Sequence, residues 1–150
     1  MSGPQIVDGV LYGADDLVAE WVARRLGRKH WYAKSNVALG MTDGEKLIGG
    51  MVFYDYRPGA EVHFSVATAG PKAMKLRALA RMYAYAFGQL GVKRITAEIE
   101  LKNTRSIRLA EGVGFIREGV KRKAAPDGGH VGVFGLLLKD FKLKRYMPHG

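Results

Sequence analysis

Cysteine is absent from all 150 residues of the sequence. This absence excludes a disulfide framework, a thiol nucleophile and thiolate metal ligands. Hydrophobic runs are short: none approaches the roughly 18 consecutive apolar residues of a membrane-spanning helix, and no basic, apolar leader opens the sequence. Low-complexity segments are also lacking, and the 47% apolar and 25% charged residues are typical of a globular protein. We therefore expect a single cytoplasmic domain over residues 1–150, with no membrane partner.

Several catalytic motifs are missing as well. The sequence contains neither the glycine-rich phosphate loop that ends in Gly-Lys-Ser/Thr nor the Gly-x-Ser-x-Gly nucleophile motif of hydrolases. Its four histidines have no metal-ligand spacing and no accompanying cluster of carboxylates. We expect no ATPase, no serine hydrolase and no metal site.

Positive charge is abundant. The 24 Lys and Arg residues exceed the 14 Asp and Glu residues, so the formal net charge is +10. This surplus favours anionic partners, either nucleic acid or a phosphate-bearing cofactor, without choosing between them. The basic residues are densest at Lys72–Arg81, Lys121–Lys123 and Lys142–Arg145. A solvated surface accounts for most of them.

The hydrophobic pattern changes its period several times along the chain. It predicts helices at Ala14–Leu26, Pro71–Gly88 and Asn103–Glu111. It predicts strands at Asn36–Met41, Lys46–Tyr56, Glu61–Thr68, Val92–Leu101, Phe115–Lys123 and His130–Leu138. The long second helix crosses between the third and fourth strands, which makes that pair parallel in an otherwise antiparallel sheet. We expect an α/β fold and a basic tail, residues 139–150, that frays.

Two segments carry a family resemblance. The pattern Asn103-x-x-Ser106-x-x-Leu109-x-x-x-x-Gly114-Phe115-x-x-Glu118-Gly119 and the run from Tyr85 to Ile95 resemble the second half of the GNAT acyltransferase superfamily. The closest likeness is to the branch of ribosomal-protein N-terminal acetyltransferases and to short phage-type relatives. It covers roughly residues 36–143. The resemblance implies a mostly antiparallel sheet with a splayed parallel strand pair and flanking helices.

The resemblance also implies an activity and a binding site. Members transfer an acyl group from acetyl-CoA, or another acyl-CoA, to an amine that attacks the thioester directly. The pantetheine arm occupies the gap of the splayed strand pair, and the pyrophosphate lies on the loop before the following helix. On this sequence the implied cofactor-binding residues are Val66, Ala67, Thr68, Gly70, Lys72, Ala73, Met74, Lys75, Asn103 and Ser106.

The chain departs from the family pattern at two places. The phosphate loop is usually Arg/Gln-x-x-Gly-x-Gly/Ala, but Ala73 and Lys75 stand where the last two small residues are expected. Either Lys72 and Lys75 supply charge to the phosphates, or the loop no longer binds CoA and the domain is catalytically silent. The tyrosine that protonates the leaving thiolate in many members is Ala110 here.

Three residues are candidates for proton handling. Glu98 matches the position of a glutamate that faces the acceptor amine in ribosomal-protein acetyltransferases; alternatively, it is a surface carboxylate paired with a Lys or Arg. Ser106 is placed to donate a hydrogen bond to the leaving sulfur, or it bonds its own helix backbone. His63 shares the outward parity of Glu61 on the third strand and is a natural proton carrier at neutral pH, although a strand histidine is often incidental.

The favoured hypothesis is an N-acyltransferase that acts on a small-molecule or protein amine. The alternative is a nucleic-acid-directed protein on the same fold, supported by the charge and by Trp31-Tyr32, a segment suited to stacking on bases or to lining an acceptor site. A silent GNAT-like domain is the third hypothesis. Family members often pair through their last strands, so a homodimer is compatible with the sequence.

Overall fold

The computed structural model describes residues 3–28, 31, 36–70 and 75–147. Its strands are β1 Gln5–Val7, β2 Val10–Tyr12, β3 Asn36–Thr42, β4 Leu47–Arg57, β5 Glu61–Thr68, β6 Arg94–Glu100, β7 Ile116–Lys121 and β8 Val131–Leu137. Its helices are α1 Asp15–Arg25, α2 Leu76–Gly88 and α3 Thr104–Val113. Two short 3₁₀ turns follow, Leu138–Asp140 and Lys144–Tyr146. None of the helices in these residues is long and apolar enough to cross a membrane.

All eight strands form one sheet in the order β1-β2-β3-β4-β5-β6-β8-β7. Neighbouring strands are antiparallel except β5 and β6, which are parallel because α2 carries the chain across the sheet between them. The predicted fold class and the predicted parallel pair are therefore confirmed.

The helices cover the sheet from two sides, which we call the α1 face and the α2 face. On the α1 face, Val18 and Val22 pack onto the glycine at position 50, whose missing side chain lets the helix approach β4. On the α2 face, Leu79 and Tyr83 join a larger core with aromatic side chains of the sheet. Strand register sorts the remaining side chains, since directly paired residues point to the same face.

An N-terminal hairpin adds two strands, β1 and β2, to the antiparallel strands β3, β4 and β5 that the sequence predicts. β1 pairs with β2 through Val7 and Val10, and β2 then pairs with β3. The two turn residues, Asp8 and Gly9, both have positive φ, at 50° and 80°. Asp-Gly between short apolar runs is the preferred sequence of a two-residue hairpin turn, so this signal was present in the sequence and was missed.

The expectation that the basic tail frays was wrong for the described residues up to 147. Phe141 is only 2% exposed and packs on the rings of Tyr83 and Phe87, with centroids 5.5 and 6.1 Å away. The backbone N–H of Lys142 donates to the carbonyl of Val113 at the end of α3. Burial of the Phe141 ring stabilises the docked segment, and the neighbouring basic residues oppose it little because their charged ends remain in water.

Helix boundaries and faces need smaller corrections. α2 begins at Leu76 with Lys75 as its N-cap, later than predicted, and the predicted start at Pro71 lies outside the described residues. Leu17, Leu76 and Leu109 are apolar residues of the predicted helices, but they are 63%, 43% and 46% exposed. The small and β-branched residues beside them make the close contacts with the sheet instead.

Candidate active site

The central feature of the site is a gap between the two parallel strands. β5 and β6 pair at only three positions, the last of which joins His63 to Thr96. β5 nevertheless continues along β4 as far as Thr68, and β6 continues along β8 as far as Glu100. Each strand therefore keeps its outer partner while the two part from each other. The splayed parallel strand pair that the family resemblance implies is present.

The β5 backbone turns hydrogen-bonding groups into this gap. The carbonyl of Ala60 accepts from the N–H of Arg94, which lies on the β6 side, whereas the N–H of Ala69 donates to Ile48 beside β4. Because backbone direction alternates along a strand, the even-numbered positions of β5 point away from β4. Val66 and Thr68 thus face the gap beyond the last pair with β6, and the Val66 side chain is 36% exposed.

The odd positions of β5 have a different environment. Ala67 pairs with position 50 of β4 and packs into the small core under α1. Of the predicted cofactor-binding residues on β5, only Val66 and Thr68 therefore have backbone groups turned toward the gap. Ala67 contributes instead to the packing between β5 and the core under α1.

The N-terminus of α2 lies after the loop that leaves β5. Lys75 is the N-cap residue with extended backbone, and its carbonyl accepts from Leu79, so the first amides of the helix have no partner within it. The first turn of α2 contains no acidic residue. Gly70, in the loop, has φ +149°. The predicted residues Lys72, Ala73 and Met74 lie outside the described part of the chain.

A polar network closes the narrow end of the gap on the α1 face. The hydroxyl of Thr96 donates to Glu61 Oε1 at 2.6 Å and accepts from Arg94 Nε at 3.0 Å. Arg94 also contacts Glu118 Oε1 through Nη2 at 2.7 Å. The hydrogen bond from Thr96 lowers the pKa of Glu61, with the charges of His63 and Arg94 adding to the effect. The network fixes where the two strands separate.

A row of rings leads from this point toward α1. The ring centroid of Tyr54 lies 5.7 Å from that of His63 and 5.5 Å from that of Trp31. His63 Nδ1 is buried and has no hydrogen-bond partner among the residues that the structure describes. Trp31 therefore packs beside Tyr54 on the α1 face, and both interpretations of Trp31-Tyr32 stay predictions. Tyr32 itself is not among the described residues.

Glu98 is held by an ion pair. Its Oε2 accepts from Lys121 Nζ at 2.8 Å, and this contact raises the pKa of Lys121. The lysine reaches across β8 from β7, because Glu98 pairs with Val133, which in turn pairs with position 119 of β7. Glu98 Oε1 has no hydrogen-bond partner within the described residues. Glu98 is therefore a carboxylate paired with a lysine, as the alternative interpretation supposes, and its Oε1 remains available to accept a hydrogen bond.

The start of α3 agrees with the motif. Asn103 is the N-cap, and its Oδ1 accepts from the N–H of Ser106 at 3.2 Å, as is typical of an asparagine at the start of a helix. Ser106 is half-buried, and its hydroxyl makes no hydrogen bond to the helix backbone in the described structure. Residue 110 is a buried alanine. The expected position of the general acid therefore carries no phenol.

Three polar residues around the gap were not predicted from the sequence. Arg94 and Thr96 organise the strand separation, and Lys121 binds the candidate base. Strand parity alone would have put Thr96 and Glu98 on one face. The partnership with Lys121 depends on β8 lying between β6 and β7, which no local pattern encodes. No cluster of His, Asp or Glu suited to a metal ion occurs within the described ranges.

Comparison with known proteins gives one family. The family model described as "Acetyltransferase (GNAT) domain" matches residues 11–116, which is more than half of the chain. A search of curated protein sequences found no significant match.

Solved structures agree on the fold. The ribosomal-protein-S5-alanine acetyltransferase of Vibrio fischeri is 14% identical, with TM-score 0.66 over 94% of this chain and 100% of that chain. Mycobacterium smegmatis RimJ in complex with CoA-disulfide is 18% identical, with TM-score 0.60 over 71% and 55%. A spermidine N-acetyltransferase SpeG chimera from Vibrio cholerae and hSSAT is 18% identical, with TM-score 0.62 over 79% and 74%. At these identities the likeness concerns the fold.

Proposed function

This chain belongs to the GNAT acetyltransferase family, and we propose that it transfers an acetyl group from acetyl-CoA to the amine of a small molecule or protein. The observation that carries the proposal is the gap between β5 and β6, which begins after His63 and Thr96. Acyl-CoA supplies an acyl group activated as a thioester, so that an attacking amine forms the amide bond as the carbon–sulfur bond breaks.

The gap suits the arm of such a molecule. A pantetheine arm is an amide chain, and the backbone groups of Val66 together with the N–H of Thr68 offer it hydrogen bonds that β6 no longer makes. The carbonyl of Thr68 already accepts from Arg25 Nη2 at 3.0 Å. An N–H at Val66 is also a suitable donor to a polarised carbonyl oxygen. Ala67 and the half-exposed Val66 side chain leave space instead of filling the wedge. Asn103 and Ser106, at the start of α3, follow directly on the end of β6, the other strand of the gap.

Phosphate binding would rest on the N-terminus of α2. Its first amides have no partner within the helix, and no carboxylate in its first turn opposes an anion. The positive charges of Lys72 and Lys75 would attract the phosphates, in place of close contact between the phosphates and the backbone of Ala73 and Met74. Gly70 would provide the turn out of β5. We assign the phosphates to this lysine-rich loop.

Proton handling would fall to the α1 face. Glu98 Oε1 is available to accept a proton from the acceptor amine, directly or through a water molecule, while Oε2 stays on Lys121. His63, with its unpartnered Nδ1, would relay that proton along the face. The Ser106 hydroxyl would donate to the departing sulfur, since Ala110 provides no phenol. Attack itself needs little beyond this positioning.

Ligand binding tests the proposal first. Titration with acetyl-CoA should raise the melting temperature, since a ligand that binds only the folded state stabilises it. Replacing Lys72 and Lys75 with alanine should weaken that shift. Replacing Lys93 and Lys139, which lie beside the Arg94–Leu137 pair at the end of β6 and β8 opposite to the gap, is the charge-matched control. No shift at millimolar acetyl-CoA would favour a silent domain, and retention on DNA without any such shift would favour the nucleic-acid alternative.

Turnover tests the assignment of the base. Glu98→Gln should lower kcat by about 10²-fold, as removal of a positioned general base commonly does, with acetyl-CoA affinity almost unchanged. Glu100→Gln, on the same face of β6, is the matched control. Unchanged turnover in the Glu98 variant would remove it from the mechanism.

A further inference from the structure

The hairpin between β7 and β8 forms a basic depression, of which the catalytic proposal uses only Lys121. It is lined by Lys121, Arg122, Lys123 and His130. The hairpin is held together by its own bonds: the N–H of Ala125 donates to the carbonyl of position 129, and Asp127 contacts Lys102 Nζ at 2.6 Å. The depression is therefore built on a turn with defined internal contacts.

Its side chains offer donors and positive charge. Lys121 is engaged with Glu98, but neither Arg122 nor Lys123 has a carboxylate partner within the described residues. His130 Nδ1 accepts from the backbone N–H of Lys123 at 3.0 Å. Because Nδ1 is an acceptor, the neutral ring carries its proton on Nε2, which is left as a donor. A negatively charged group fits this set of contacts.

The depression is connected to the reaction centre through Lys121. That residue lines the depression and binds Glu98, the proposed base on β6. β8 lies between β6 and β7, so two strand spacings, about 10 Å, separate β7 from the edge of the gap. An extended peptide covers this distance in roughly three residues.

We propose that this depression binds an anionic group of the acceptor, which is an amine with a carboxylate or phosphate about 10 Å from its nitrogen. The inference rests on the proposed function and names its substrate class. Arg122 and Lys123 pair with the anion, while His130 Nε2 donates to it. Polyamine acceptors are disfavoured because they bring positive charge to the same cations.

Four tetrapeptide amides test the charge preference: Ala-Ala-Glu-Glu, Ala-Ala-Gln-Gln, Ala-Ala-Lys-Lys, and a version of the second with phosphoserine third. With acetyl-CoA, kcat/KM should be about tenfold higher for the glutamate peptide than for the glutamine peptide, as two exposed ion pairs allow. The lysine peptide and spermidine should be the poorest acceptors. The phosphoserine arm shows whether phosphate serves better than carboxylate.

The variant Arg122→Gln/Lys123→Gln should abolish the preference while leaving turnover of the glutamine peptide unchanged. Arg117→Gln/Lys139→Gln removes the same charge elsewhere, since Arg117 pairs with Phe134 and so lies on the α2 face of β7. This control should keep the preference. Raising the salt to 1 M should reduce the preference in the wild-type protein, because the Debye length falls to about 3 Å.

Direct binding separates the two proposals. Calorimetric titration of the glutamate peptide without acetyl-CoA should give binding that the Arg122/Lys123 variant weakens about tenfold. If acetyl-CoA does not bind but this difference persists, the acyltransferase proposal fails and the anion site stands. If turnover occurs with equal efficiency for acidic and neutral peptides, or the variant and its control behave alike, the anion site is wrong.

Discussion

Two glycines near the end of α3 should respond in opposite ways to the same substitution. Position 112 lies in the helix, is exposed, and has open space where a Cβ would be added. Position 114 is the C-cap with φ +123°, and an added Cβ would collide with the carbonyl oxygen of Asp140. Alanine therefore removes a helix defect at one site and introduces strain at the other.

The expected magnitudes follow from these environments. Gly112→Ala should raise the free energy of unfolding by about 0.5–1 kcal/mol, the difference in helix propensity. Gly114→Ala combines an unfavourable backbone conformation of about 1–3 kcal/mol with overpacking of similar size, so a loss of about 2–6 kcal/mol is expected. The clash is with backbone, which cannot rotate away as a side chain would.

Thermal unfolding measured by circular dichroism checks both values. At this chain length 1 kcal/mol corresponds to about 2–4 °C, so the two variants should differ in Tm by roughly 10 °C. Chemical denaturation at 25 °C supplies the free energies. Equal Tm values, or a stable Gly114→Ala variant, would contradict the docking of the C-terminal segment against α3.

Three further changes probe the core and the network at the strand separation. Thr96→Val should lower the free energy of unfolding by about 1–3 kcal/mol at pH 7, because it removes the hydroxyl that lowers the pKa of Glu61. The Glu61 carboxylate stabilises the fold only above its unfolded pKa. In denaturation measured against pH, the difference between the variant and the wild type should therefore shrink as the pH falls below about 4. Phe141→Ala should cost about 3–5 kcal/mol in the same assay, while Leu138→Ala, at a position 44% exposed, should cost under about 1. Gly50→Ala should lose about 1–3 kcal/mol, since its Cβ would lie 2.6 Å from Val22 Cγ2; an unchanged Tm would refute the close approach of α1.

The sequence supported prediction wherever local rules decide structure. The bounds of β5 agree with the predicted Glu61–Thr68, and Asn103 caps α3 as its side chain type favours. The parallel pair followed from the crossover rule, since a long helix separates the two strands. The separation of the strands after His63 was expected from family resemblance, because no periodicity encodes it.

Long-range partnerships could not be predicted in the same way. The pairing of Glu98 with Lys121 requires β8 to insert between β6 and β7, and Phe141 is buried only because the aromatic face of α2 receives it. Both contacts join residues more than twenty positions apart. The Asp8-Gly9 turn was a different failure, since that signal is local and was overlooked.

The central claim is that the backbone of β5 binds the acyl-CoA arm in the gap it shares with β6. Titration with acetyl-CoA, followed by amide NMR, measures this directly. Saturable shifts should appear at the amides of Val66 and Thr68, with those of β1 unmoved. Saturation that leaves both amides unchanged, or no response at millimolar ligand, would contradict the account.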